Sequence, residues 1–489
     1  MKISKNNKMN EIKQSCHDFF YNNKYTEGAG VKGAIDLKTA RLIVKYFNKD
    51  INKEITNIKI KDQNLSIKSI GCDITNINLG ISNYSSEKVE ITFEPNNKIH
   101  IFLKDIKGWG KFSLFIKLLF AYHNENVSFE INNLYVMATV LIGSRKVNGK
   151  LLPDAKITNL SYDYNFDFNL QSSLGNIVLL FKKPIKNLIW KEINKIIDSK
   201  VNYGLKIGLS MIPNEIVVDK KKGYVIDYSL ISTPFIENNF ILFNSYARFI
   251  NKNIQETQNK DNFFRPFLVP SYDLIGKASQ LYISDYVINT ALFTFFKTRD
   301  LEYLITPDML PKDLPLIKLN TSWLGVIFKN MSDIYGMDQP VSIKLIVCEN
   351  PQLILKDKLI TFILPTNVEV IVKGFEGIAV KFRTTVFVDA IFKVYEDCKI
   401  TGIIQSLNIQ NTKIITSFND DENFGNNLEK NFNFLKGLAL PFINNFVLKN
   451  IQYNLPVIRG VKFSDMTISH HENYVIVNYN FEFNENEIF

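Results

Sequence analysis

One order of elements is written twice into this 489-residue chain, and that repetition narrows its fold more than any other feature. After a polar leader, Asp36 can cap a helix whose apolar residues Ala40, Ile43, Val44, Phe47, Ile51 and Ile55 recur at helical spacing. Residues 56–170 then alternate apolar and polar in short runs such as Ile91-Thr92-Phe93, with turn signals at Asn96-Asn97 and Asn148-Gly149. The spacing of Ile185, Leu188, Ile189, Ile193, Ile196 and Ile197 predicts a longer helix starting near Pro184, since proline suits a first turn. Strand-like sequence resumes at 207–243, and the polar run Asn251 to Asn262 before Phe263-Phe264-Arg265-Pro266 reads as a linker. A second round follows: a helix over Ile283 to Phe296, strand-like residues 301–418, and a long helix marked by Phe424, Leu428, Phe432, Leu435, Ala439 and Phe442. A chain of this length needs more than one core, and two similar units supply them.

Hydrophobic residues make up 46% of the chain and charged residues 22%, which excludes global disorder. The net charge of +9 is uneven. Residues 1–250 hold 35 Lys and Arg against 23 Asp and Glu, whereas residues 251–489 hold 23 against 26. A positive field on one half raises encounter rates with phosphate-bearing surfaces, so an anionic partner is expected for that half. Nucleic acid is not expected, because the lysines are scattered among strand-like segments and no DNA or RNA module is present. Cys16, Cys72, Cys348 and Cys398 lie far apart without a CxxC pair, so they make no metal framework; buried thiols or one disulfide both remain open.

Catalytic constellations are missing. The chain has no G-x-S-x-G and no HExxH, and Gly143 to Lys150 has the wrong spacing for a phosphate loop. His470 and His471 are adjacent on an expected strand and point to opposite faces, a poor metal site. Asp420-Asp421-Glu422 precedes a helix and reads as capping charge. Neither enzyme activity nor a metal is expected.

The most specific motif spans residues 282–312, where Ser284-Asp285-Tyr286 and Asn289-Thr290-Ala291 are followed by Asp308-Met309-Leu310-Pro311-Lys312. Order and spacing resemble the opening of the C-terminal half of the family that includes bactericidal/permeability-increasing protein, lipopolysaccharide-binding protein and the cholesteryl-ester and phospholipid transfer proteins. Looser colinear matches run from Gly28-Ala29-Gly30-Val31 through Leu141-Ile142-Gly143 and Tyr224 to Pro234, ending at Leu440-Pro441 and Asn454-Leu455-Pro456-Val457.

The resemblance implies an α+β fold: an elongated boomerang of two similar barrels, each a twisted antiparallel sheet with long amphipathic helices, joined by a central sheet. The corresponding division is a polar leader (1–27), a basic N-terminal lipid-binding barrel (28–245), a linker (246–272) and a C-terminal lipid-binding barrel (273–489). It further implies a secreted, monomeric protein that takes phospholipid tails into apolar tunnels and recognises anionic lipid or lipopolysaccharide with its basic half, as innate-immunity members do. No cofactor is implied beyond bound phospholipid. Transfer of phospholipid or neutral lipid between membranes is the alternative, and a structural interaction protein with filled barrels is a third. The first 30 residues hold no apolar run of signal-peptide length, which leaves an intracellular location open. A disulfide that ties a strand to the long helix in that family would fall near Thr158 and Lys200-Val201, where this chain has no cysteine.

Two sets of site residues follow. On the helical stripes, Ile43, Phe47, Leu188 and Ile189 are the candidates for the first tunnel and Val287, Leu292, Leu435 and Phe442 for the second. Such faces ordinarily pack a core, and only the resemblance favours a hollow. The segment Lys104 to Lys111, with Trp109 between Gly108 and Gly110, reads as a hairpin tip. There Lys104, Lys107, Lys111 and the nearby Lys117 would meet anionic head groups while Trp109 enters the membrane interface; a solvated basic loop is the plainer reading.

Overall fold

The computed structural model describes residues 29–41, 57–67, 70–83, 88–118, 121–167, 176–210, 214–254, 279–310, 318–394, 399–418, 428–432, 453–454 and 461–483, with 436, 440 and 444. The first half supplies β1 (Val31–Asp36), β2 (Ile58–Lys59), β3 (Gln63–Ile67), β4 (Ile70–Asn83), β5 (Val89–Glu94), β6 (Lys98–Leu118), β7 (Ala121–Val147) and β8 (Lys150–Asp167). A 35-residue helix, α1 (Asn176–Ser210), follows. Next come β9 (Glu215–Asp219), β10 (Tyr224–Asp227), β11 (Phe235–Glu237), β12 (Phe240–Ser245) and β13 (Arg248–Asn251). The second half opens with β14 (Ser279–Ser284), α2 (Asp285–Lys297), β15 (Glu302–Ile305), α3 (Thr321–Leu324) and α4 (Met331–Tyr335). It continues with β16 (Val341–Val347), β17 (Gln352–Lys356), β18 (Leu359–Val372), β19 (Val380–Val394) and β20 (Lys399–Ser417). Last are β21 (Tyr453–Asn454), β22 (Val461–His471) and β23 (Tyr474–Phe483).

Long antiparallel strands dominate because the alternating sequence buries one face and hydrates the other. In the first half β2-β4-β6-β7-β8 form a seven-stranded sheet, with β3 on β4 and β5 on β6. Its turns obey the local chemistry: Asn96 and Asn97 (φ +65° and +63°), like Asn148 and Gly149 (φ +49° and +79°), adopt the left-handed pair that a tight hairpin needs. In the second half β15-β16-β18-β19-β20-β21 run in order, with β17 on β18. Among the described residues neither sheet closes on itself by strand pairing; in the first half α1 packs against the inner face instead.

A six-stranded central sheet, β11-β12-β1-β14-β23-β22, joins the halves. β1 lies between β12 and β14, with Val31 opposite both Ser245 and Ile283. Asp36 ends β1 and caps the turn that follows, its Oδ1 accepting from the Thr39 N–H (3.0 Å) as the sequence predicts. The same oxygen accepts from Ser279 Oγ (3.0 Å) on β14, so one carboxylate serves both halves.

Within the specific motif at 282–312, residues 284–294 prove to be the joint, Pro307–Met309 form a single helical turn, and Pro311 and Lys312 lie outside the described residues. Ser284 caps α2, its hydroxyl accepting from the Tyr286 N–H (3.2 Å). Asn289 exchanges two hydrogen bonds with the Leu353 backbone (3.0 and 2.7 Å), as a β-strand neighbour would. On the next residue, Thr290 Oγ1 accepts from the Phe249 N–H (3.1 Å). The helix is thereby fastened to β17 on one side and β13 on the other. Gly30 is required where β1 enters this joint, since a Cβ would lie 2.0 Å from the Tyr246 carbonyl oxygen.

Four sequence expectations need correction. α1 begins at Asn176, eight residues before Pro184, so the proline is interior; the carbonyl it leaves without a helical donor belongs to Leu180, an exposed residue where water can serve. Helix therefore continues to Ser210 where strand-like sequence was expected from 207. The linker assigned to 246–272 contains β13, which pairs with β10; residues 255–278 lie outside the described residues. Trp109 lies within a strand rather than at a hairpin tip.

Candidate functional site

The inner face of the first-half sheet is continuously buried. On β6 it presents Ile106, Gly108, Gly110, Phe112, Leu114 and Ile116, and on β7 Val127, Phe129, Ile131, Leu134 and Val136. Phe181, Ile185, Ile189 and Ile193 of α1 pack onto them, with Leu188 at the margin. Leu188 and Ile189, two of the first-tunnel candidates, are thus part of a packed cluster; Ile43 and Phe47 lie outside the described residues.

Residues 104–111 are not a hairpin tip. They sit in the middle of β6, paired with β4 on one side and β7 on the other. The glycines serve close approach rather than a turn: a Cβ on Gly110 would lie 2.1 Å from the Phe129 ring, and one on Gly108 2.8 Å from the Gly80 carbonyl oxygen. Asp105 (φ +51°) and the register shifts between Leu103 and Gly108 mark a bulge that bends the strand. Past the bulge Lys107, Trp109, Lys111 and Lys117 alternate onto the outer face, where the three lysines are exposed and Trp109 is half-buried. The Lys111 ammonium lies 5.8 Å from the Trp109 ring centroid, and Lys117, next to the β6–β7 turn, lies 5.8 Å from that of Tyr122. Lys104 instead pairs with Glu90 at 2.6 Å.

The second-half sheet is built differently. Cross-strand partners share a face, so the register defines rows. Val370 lies opposite Val380, Val368 opposite Phe382, Thr366 opposite Thr384, Leu364 opposite Val386 and Phe362 opposite Val388. β20 extends these rows with Ile414, Ile409 and Leu407 opposite Phe382, Val386 and Val388. At one end Val368, Val370, Val372, Val380 and Phe382 form a buried cluster with Leu324, Phe328 and Leu428. At the other, Leu353, Leu355 and Ile360 form a second, against which Ile283, Ile288 and Leu292 pack. Between them lie two rows, Leu364-Val386-Ile409 and Phe362-Val388-Leu407, whose six apolar side chains are half-buried; Ile409 packs on the first cluster and Phe362 on the second, which leaves Leu364, Val386, Val388 and Leu407 between the clusters. A buried threonine row separates them from the far cluster: Thr384 Oγ1 donates to the Gln410 carbonyl (3.1 Å) and Thr366 Oγ1 to that of Leu364 (2.9 Å). The opposite face is mixed: Lys381 pairs with Glu369 (2.7 Å) and Asp389 accepts from Thr361 and Ser406 (both 2.7 Å), with Ile363 opposite Phe387 between them.

Of the second-tunnel candidates, Leu292 packs at the proximal cluster and Val287 is half-buried on α2, while Leu435 and Phe442 lie outside the described residues. Sequence reasoning missed the six strand residues. Their alternation was legible, but alternation alone does not say which rows a neighbour will cover.

Cys72 and Cys348 are free thiols, and burial pushes Cys72 up to about 12; Cys16 and Cys398 lie outside the described residues. Thr158 lies on β8 and residues 200–201 on α1. His470 stacks on Phe392 and His471 on Tyr474, and burial together with the charge of His471 lowers the His470 pKa. Among the described residues no three His, Cys, Asp or Glu side chains converge as around a metal ion, and no helix is long and apolar enough to cross a membrane. Asp420-Asp421-Glu422 lie outside them.

Residues 218–483 match the family described as "LBP / BPI / CETP family, C-terminal domain", a span of more than half the chain. The protein belongs to this family. Members of the LBP/BPI/CETP family are lipid-binding and lipid-transfer proteins rather than enzymes. Among solved structures, lipopolysaccharide binding protein is similar at 17% identity with a TM-score of 0.48, covering 93% of this chain and 99% of that one. P47 of Clostridium botulinum E1 is similar at 11% identity and a TM-score of 0.29, over 93% and 99%. Takeout 1 of Epiphyas postvittana is similar at 10% and 0.25, over 36% and 92%. Within this LBP/BPI/CETP protein, the matched span contains the α2 joint, the half-buried rows and five of the six central strands, β11, β12, β14, β22 and β23, with β1 outside it.

Proposed function

We propose that this protein holds phospholipid tails against the apolar inner face of its second-half sheet and recognises anionic lipid or lipopolysaccharide with the basic first half. The observation that carries the reading is the pair of half-buried rows, Leu364-Val386-Ile409 and Phe362-Val388-Leu407, between two sealed clusters in a chain of this family. Apolar side chains left partly uncovered inside a curled sheet match an acyl chain, whose burial gains about 0.8 kcal/mol per methylene without any polar contact. The exposed Lys107, Lys111 and Lys117 on one strand face supply positive charge beside amphipathic aromatics, as an anionic head-group surface requires. The proposal keeps the two units, 28–245 and 273–489, in a secreted monomer, the first meeting head groups and the second holding tails. Transfer of phospholipid or neutral lipid between membranes would use the same interior.

Mass spectrometry of organic extracts from the purified protein tests it, with a solid-cored protein prepared identically as control. Near-stoichiometric phospholipid is the expected result. Clean extracts from several expression hosts, together with no uptake from liposomes, would discard the reading in favour of an interaction protein with a filled interior.

A further inference from the structure

At one end of the second half, three loops present large apolar side chains to solvent. Val326 follows α3, Ile334 lies on α4 and Met337 just beyond it, and Phe375 and Ile378 come from the β18–β19 loop. Their exposures run from 40% for Ile378 to 77% for Met337. This is the end remote from the joint: β18 starts near the cluster that contacts α2 and runs about 40 Å to the loop at the usual strand rise.

The loops make one surface. The Lys373 N–H donates to the Pro340 carbonyl (2.8 Å), the Asp338 N–H to Ser322 Oγ (2.9 Å), and the Tyr335 ring meets that of Phe375 edge-on at 5.2 Å. Gly374 (φ +88°) and Gly377 (φ +91°) turn the chain around Phe375 and Glu376, and a Cβ on either would meet nothing within 4 Å, so both turns face open space. Exposed charge nearby is close to balanced, Lys329 and Lys373 against Asp333, Asp338 and Glu376. Beneath, Trp323, Tyr335 and Phe418 pack on the same cluster whose rows lead to the half-buried stretch. An exposed apolar patch of this kind marks an interaction surface. Its protruding shape and lack of net positive charge suit the interfacial zone of an electrically neutral lipid surface, not anionic head groups.

We propose that this end of the second half docks on zwitterionic phospholipid surfaces by inserting Met337, Phe375 and Ile378, independently of the lysines of the first half. The inference rests on the lipid-binding reading and adds a second, chemically distinct membrane contact. Flotation of the full chain with pure phosphatidylcholine vesicles at high salt tests it. The double variant Met337→Asp/Phe375→Asp should lose about tenfold or more in partitioning, as expected for removing two buried apolar side chains, while its co-purifying lipid is unchanged. In a Phe375→Trp protein the emission should shift to the blue on adding the same vesicles. Wild-type protein that stays with the solvent, a double variant that floats equally well, or a tryptophan that does not respond would each overturn the proposal. So would self-association abolished by the double variant, which would assign the patch to a second copy. Extracts empty of lipid would remove the interior reading instead, whatever the vesicles do.

Discussion

The two halves use the same parts to different ends. In the first, α1 drops Phe181, Ile185, Ile189 and Ile193 onto a strand face whose every inward residue from Ile106 to Ile116 is buried, and charge is placed outside. In the second, two buried clusters stand apart, with half-buried apolar side chains between them and the exposed apolar side chains at the far end. An apolar inner face is therefore not by itself a hollow; what covers each row decides. The glycines teach the same lesson. Gly108 and Gly110 flank an aromatic because neighbours press on the strand, whereas Gly374 and Gly377 flank one because the chain turns in open space.

The contrast breaks most readily at Ile189. Truncation to alanine in the sealed first half should cost about 2–5 kcal/mol in denaturant unfolding, whereas Val388→Ala in the half-buried row should cost about 1 kcal/mol. Equal costs would mean that both interiors are filled alike. A second comparison separates the surfaces. Replacing Lys107, Lys111 and Lys117 together by glutamine should weaken binding to anionic vesicles at low salt by about a hundredfold, from about 1 kcal/mol per lysine. Because exposed charges are screened, that difference should shrink as salt is raised; a loss that persists at high salt would point to packing rather than charge.

The joint between the halves responds to pH. Burial pushes the Asp285 carboxyl up to about 7, against the opposing hydrogen bonds from Ser284 and the Tyr286 N–H. Its folded pKa is raised above the ordinary carboxylate value near 3.9, so its stabilising contribution is complete below about pH 4 and is lost as pH rises toward and through 7. Asp285→Asn should therefore gain thermal stability relative to wild type progressively from pH 4 to 8. A difference that does not change with pH would exclude the titration.

Much of the fold was legible in local chemistry. The left-handed turns at Asn96-Asn97 and Asn148-Gly149, the Asp36 cap and the helix after Ser284 are each fixed by residues a few positions apart. The Lys104–Lys111 segment misled because glycine beside an aromatic has the same composition whether the chain turns or bulges. The signal for the real apolar loop lies in Gly374-Phe375-Glu376-Gly377, between two strand-like runs.

By itself the sequence determined the periods, caps and turns, and with them two rounds of strands and helices, because these depend on neighbours within one or two turns of chain. Tertiary structure alone decided that β1 would lie between β12 and β14, that Asn289 would bond the Leu353 backbone, and which apolar rows would be left half-buried. Those outcomes depend on register and on partners far along the chain, where a shift of one residue turns every side chain to the other face.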